Sequence, residues 1–102
     1  MSKRDDDRGA ALKVLAVLEA LSEHAVSGVS NSALSKSLGI LPSGITRAMS
    51  VLIEKGWARK DETSGLFHPT CRMGRVFARA LAGIDRAQDK IDEIKHNFSR
   101  TE

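Results

Sequence analysis

Gly39 and Pro42 stand three positions apart in the stretch LGILPSGITRAMSVLIEKG, Leu38–Gly56, and together they dictate the local fold. Glycine accepts the left-handed conformation in which helices often end, and proline suits the first helical position, where its missing N–H costs nothing. A helix reaching this point is predicted to stop at Gly39 and another to start at Pro42, with Ile40 and Leu41 left for the turn. The new helix, Pro42 to about Lys55, carries Ile45, Ala48, Met49, Leu52 and Ile53 at the i, i+3, i+4, i+7, i+8 spacing of one buried stripe. Ser43, Thr46, Arg47 and Ser50 fall on the opposite face, with Gly44 beside them, and Gly56 ends the helix. Glycine in a helix costs roughly 1 kcal/mol relative to alanine, so so small a first turn needs a reason.

The flanking sequence supplies the rest of a small domain. Residues from about Asp6 to Glu23 are predicted as a first helix whose core face is Leu12, Leu15, Ala16, Leu18 and Leu21, with Asp5, Asp6 and Asp7 favouring its positive end. A turn follows at Ser27–Gly28, then a short extended piece at Val29. The second helix runs from about Asn31 to Ser37, capped by Ser30 or Asn31. Beyond Gly56, Trp57–Lys60 and Leu66–His68 flank the turn DETSG and predict a hairpin ended by Pro69. Two short helices joined by a tight turn match the helix-turn-helix pattern, and the hairpin stands where a wing would.

From about Thr70 to Phe98 the chain is predicted to be helical again, with Phe77, Ala80, Ile84, Ala87, Ile91, Ile94 and Phe98 alternating steps of three and four. Such a helix is roughly 43 Å long, more than a domain this small covers by itself. Met73 to Leu81 is expected to pack back on the first helix. The lower part, Ile84 to Phe98, is expected to meet a second copy of the same helix, the whole dimerisation seam being Phe77, Ile84, Ala87, Ile91, Ile94 and Phe98. The expected fold is therefore mostly α with a small β-hairpin wing: a winged helix-turn-helix over 1–70 and a long C-terminal dimerisation helix over 71–102.

Size and charge bound the function. The 102 residues fit one compact unit, and no apolar run approaches the roughly 20 residues a membrane span needs. No signal peptide is read at MSKRDDDRG, and a cytoplasmic protein with no membrane association is expected. The single Cys71 cannot form an internal disulfide and is read as structural. The net charge of +3 neither demands nucleic acid nor excludes it. His68 and Cys71 are three apart, but His24 and His96 lie in distant elements, so no metal site is expected. No nucleophile with its base and no glycine-rich phosphate loop is recognisable, so neither catalysis nor a cofactor is expected. Trp57 and Phe67 are assigned to packing under the hairpin.

The segment ALKVLAVLEALSEHAVSGVSNSALSKSLGILPSGITRAMSVLIEKGWARKDETSGLFHPT resembles the N-terminal DNA-binding domain of IclR-type transcriptional regulators. The likeness is carried by the leucine-rich first helix, by SALSKSLGILPSGITRAMSVLIEKGW and by the wing text ARKDETSGLFHP, and covers about residues 10–70. MarR-type and other small winged-helix regulators share the architecture. The resemblance implies that the helix from Pro42 is a recognition helix whose Ser43, Gly44, Thr46 and Arg47 enter the major groove of double-stranded DNA, with the wing at Lys60–Gly65 near the minor groove or backbone.

A helix enters the major groove only if its leading residues are small or able to bond bases and phosphates. Arg47 is expected to read a guanine bidentately and Thr46 to touch a thymine methyl or a phosphate, with Ser50 one turn further along the same face. Arg59 and Lys60 at the base of the hairpin, continued by Arg72, Arg75 and Arg79, form a candidate phosphate-contacting band, with Lys36 a weaker backbone contact. Two features depart from the family: the large ligand-sensing domain of typical members is absent from this sequence, and Asp61 and Glu62 at the wing tip repel phosphate. The expected function is a homodimeric transcriptional regulator, most simply a repressor on a palindromic operator. The alternative is a winged-helix module that binds a protein partner through the helix seam or the acidic wing tip.

Overall fold

The computed structural model describes residues 3–100, with side chains for residues 7–99. The chain forms α1 (Lys3–Leu21), a 3-10 turn (Ser22–His24), α2 (Asn31–Leu38), α3 (Pro42–Glu54), β1 (Ala58–Lys60), β2 (Phe67–Pro69) and α4 (Cys71–Arg100). The Asp5 and Asp6 side chains, expected to favour the start of α1, lie outside the described ones.

Local chemistry sets the boundaries. Ser30 caps α2, its hydroxyl accepting from the Ala33 N–H at 3.1 Å. Gly39 ends that helix in the left-handed region, φ 66°, with its N–H donating to the Ser35 carbonyl. Pro42 takes the first helical position of α3. Gly56, φ 83°, then reverses the chain so that the Trp57 N–H reaches the Leu52 carbonyl at 2.8 Å.

The hairpin is antiparallel, Ala58 facing Pro69, Arg59 facing His68 and Lys60 facing Phe67. Its strands differ slightly from expectation: Trp57 lies outside β1, Leu66 lies outside β2, and Pro69 is the last residue of β2 rather than its stop. Proline is tolerated there because it stands at a strand end, where the missing N–H breaks no ladder. Val29 forms the extended piece expected of it, exchanging two backbone hydrogen bonds with Phe67 at 2.9 and 2.8 Å.

The core gathers Val17 and Leu21 of α1, Val29, Leu34 of α2, Ile45, Ala48, Met49 and Leu52 of α3, and Ala58 of β1. Trp57 and Phe67 pack against it, as assigned from the sequence. Two parts of the expected core are corrected. Leu12 and Leu15 are 56% and 55% exposed, while Val17 is buried and Val14 and Leu18 are partly so. At about 100° per residue, Leu12 and Leu15 point away from Val17, so Val14 and Val17 take their place beside the expected Leu18 and Leu21 on the inward face. Ile53 at the end of the α3 stripe is likewise exposed.

A third correction concerns α4. The main helix packing within the domain is α1 on α3, α2 on α3 and α1 on α2, with no comparable packing of α4, of which Met73 and Val76 are half-buried. Phe77 and Leu81, expected against α1, are each 60% exposed. The helix is held at its start, where the Thr70 hydroxyl donates to the Gly56 carbonyl and the Arg72 guanidinium lies 5.9 Å over the Trp57 ring. From there thirty residues, about 45 Å of helix, run outward and stretch the molecule to 67 Å.

Candidate nucleic-acid interface

The outward face of α3 is as the spacing predicted for four residues: Ser43, Thr46, Arg47 and Ser50 are all exposed. Thr46 donates to the Pro42 carbonyl at 3.1 Å, and Ser50 to the Thr46 carbonyl at 3.1 Å, so both hydroxyls are tethered to their own helix. The Ser50 hydroxyl keeps its acceptor capacity, whereas the Thr46 hydroxyl also accepts from the Asn31 side chain at 3.0 Å. Arg47 projects between them without a hydrogen bond or ion pair among the described residues, its guanidinium free for an external acceptor.

Gly44 is placed differently from expectation. It is buried rather than on the outward face, and a Cβ there would stand 2.8 Å from the Ile40 Cγ2 atom. Its N–H donates to the Leu41 carbonyl at 2.8 Å, so the amide is consumed within the turn. The small residue lets α3 fold tightly against the turn that precedes it. Since Pro42 has no N–H, Ser43 is the residue of this first turn that keeps an amide for an anion at the positive end of the helix.

The clamp that fixes α3 to α2 has no signature in the spacing of residues. Asn31, at the start of α2, donates its Nδ2 to the Pro42 carbonyl at 3.1 Å and to the Thr46 hydroxyl at 3.0 Å. Its Oδ1 is buried without a hydrogen-bond partner among the described residues. Nothing in the spacing of Asn31 and Thr46, fifteen residues apart, signals this clamp. Leu41, in the turn immediately before Pro42, is 76% exposed.

In the wing, Arg59 and Lys60 are exposed, and the Lys60 ammonium lies 5.8 Å over the Phe67 ring. Asp61, expected to face phosphate, is turned into the tip: its carboxylate accepts from the Thr63 N–H at 2.9 Å. Backbone hydrogen bonds from Thr63 and then Ser64 hold its carboxyl below the usual carboxylate range, with the nearby His68 a lesser cause. Its charge thus orders the loop, leaving Glu62 as the outward acid. His68 is buried, packed so closely on Gly28 that a Cβ there would meet its Nε2 at 2.6 Å. Lys36, Arg75 and Arg79 are exposed, whereas Arg72 is engaged with Trp57. Among the described residues no group of three or more His, Cys, Asp or Glu could hold a metal ion, and no helix is long and apolar enough to cross a membrane.

The comparisons agree with this arrangement. The family model described as the IclR helix-turn-helix domain matches residues 10–62. An IclR family transcriptional regulator from Brucella abortus superimposes with a TM-score of 0.61 at 21% identity over 72% of this chain, a likeness of fold. HmgR from Pseudomonas aeruginosa superimposes with a TM-score of 0.62 at 29% identity over 74% of this chain. The chain spans 27% and 30% of the lengths of those two proteins. No curated protein matches it.

Proposed function

The chain belongs to the IclR helix-turn-helix family, and from that premise we propose that it is a sequence-specific DNA-binding regulator of transcription. Residues 1–70 form the DNA-binding domain and residues 71–102 a dimerisation helix. The observation that carries the reading is the outward face of α3: Ser43, Thr46, Arg47 and Ser50 exposed together on a helix whose first turn is clamped by Asn31. A rigid helix with short polar side chains around one unpaired arginine suits a major groove, where guanine offers two acceptors to a guanidinium.

Arg59 and Lys60 of the wing and Lys36 of α2 are assigned to phosphates, which position a protein without reading sequence. Gly44 acts indirectly, by letting α3 close onto its turn. Two copies joined through α4 present two recognition helices, which favours a palindromic operator with half-sites about one helical turn, roughly 34 Å, apart. Occupying such a site and blocking polymerase, hence repression, is the simplest regulatory outcome.

A fluorescence titration with labelled genomic fragments at two salt concentrations tests DNA binding itself. Affinity that falls steeply as salt rises supports it, because each neutralised phosphate releases counterions. Affinity indifferent to salt would favour the protein-binding alternative.

A further inference from the structure

We infer that two copies of α4 pair antiparallel, so that the winged domains of the dimer lie at opposite ends of the paired helices. The inference rests on the homodimer proposed above and assigns its orientation, which a seam of apolar residues leaves open.

The first observation is the alternation of side-chain size. Written as heptads, Phe77, Ile84 and Ile91 occupy a positions, and Ala80, Ala87 and Ile94 occupy d positions. A parallel pair matches each residue with itself, stacking bulky Phe77 and Ile84 layers against layers of two alanines at Ala80 and Ala87. Thick and thin layers in alternation leave the alanine layers underfilled. An antiparallel pair matches a with d. One register sets Ile84 against the partner subunit's Ala87, Ala80 against the partner subunit's Ile91, and Phe77 against the partner subunit's Ile94. Every alanine then faces an isoleucine, and the layers have more even thickness.

The second observation is charge. In a parallel pair each g residue faces the e residue five positions later on its partner, which sets Lys90 against the partner subunit's Lys95 on both sides of the seam. Lys90 has one local carboxylate, Glu93 at 3.7 Å, and both side chains of that pair are largely exposed. The antiparallel pair separates these lysines: g positions face g positions, bringing Lys90 near the partner subunit's Gly83, and e positions face e positions, bringing Leu81 near the partner subunit's Gln88. The like-charge contact disappears.

The face is open to such a partner, with Phe77 and Ile84 60% and 63% exposed and Ile91 and Ile94 48% and 45% exposed. The twofold axis crosses α4 between Asp85 and Arg86. By helical rise the two starts of α4 are then about 44 Å apart, of the same order as the roughly 34 Å between successive major-groove faces.

Cysteine pairing tests the orientation in the full chain. Cys71→Ser removes the native thiol, and Ala80→Cys and Ile91→Cys are each introduced in that background, one carrying a tag that separates the two by mass. In the antiparallel dimer two copies of residue 80 are about 16 Å apart along the axis, beyond the roughly 7 Å between Cα atoms that a disulfide spans. Each variant alone should therefore remain uncrosslinked on oxidation, and the re-paired mixture should give the mixed disulfide. Disulfides within each variant alone, from a parent that sediments as a dimer, would overturn the antiparallel pairing and leave the dimer standing. A parent that sediments as a single chain would overturn both.

Discussion

The Asn31 Nδ2 atom lies 3.0 Å from the Thr46 hydroxyl and 3.1 Å from the Pro42 carbonyl, joining the start of α2 to the first turn of α3. One side chain thereby ties α3 to the start of α2 as it leaves its turn. Asn31→Ala is expected to cost about 1 kcal/mol, the net worth of such bonds, and to weaken DNA binding without altering the preferred sequence. Asn31→Asp removes the donor and sets a partly buried carboxylate beside a carbonyl, so its loss should be larger, about 2 kcal/mol. Urea denaturation of the two variants against the parent checks the order.

Gly44→Ala sets two effects against each other. Alanine favours the helix by roughly 1 kcal/mol, but its Cβ would stand 2.8 Å from Ile40 Cγ2, and overpacking costs about 1–3 kcal/mol. The steric effect should win by about 1 kcal/mol because Ile40 is β-branched and stiff at that carbon. Combining Gly44→Ala with Ile40→Ala should relieve the clash, so that the second substitution costs less in the double variant than alone. Thermal unfolding of the four proteins measures the coupling.

Arg47→Ala should leave stability within about 0.5 kcal/mol of the parent, since the side chain is exposed and unpaired. Its effect belongs to recognition: discrimination at one base position should fall by about 1–3 kcal/mol. Competition between the preferred duplex and its single-base variants reads this directly. Lys60→Ala, by contrast, should weaken all duplexes alike.

The wing tip should be ordered down to acid pH. Because the Thr63 and Ser64 backbone N–H groups lower the Asp61 pKa in the fold, the ordering is complete above the unfolded carboxylate's range and is lost as pH falls through the lower, folded value. The Thr63 amide resonance, followed by NMR against pH, should therefore move below the usual carboxylate range, and Asp61→Ala should abolish the transition.

Charge placed in the α4 seam should dissolve the proposed dimer. Ile91→Glu with Ile94→Glu is expected to reduce the sedimenting mass to that of one chain while the winged domain stays folded, since neither residue touches its core.

What was legible in the sequence was what neighbouring residues decide. Gly39 and Pro42 act through their own backbone geometry, so the ends of α2 and α3 are readable without knowing the fold, as is the glycine-containing hairpin turn. On α1 the spacing identifies Leu21 but admits two stripes before it, and only packing against α3 selects Val17 over Leu12 and Leu15. The buried place of Gly44 is not legible, because the partner that needs its smallness, Ile40, sits in the turn rather than in any periodic pattern. The Asn31 clamp crosses between two helices, and no spacing along the chain encodes it.

Selection from random-sequence duplexes, with sequencing of the bound pool, tests the central claim most directly. The parent protein should enrich a twofold-symmetric site, and Arg47→Ala should enrich the same site with preference lost at one symmetric pair of positions. A parent pool that enriches no site would contradict sequence-specific recognition by α3, and an unchanged site in the Arg47→Ala pool would remove Arg47 as its reader.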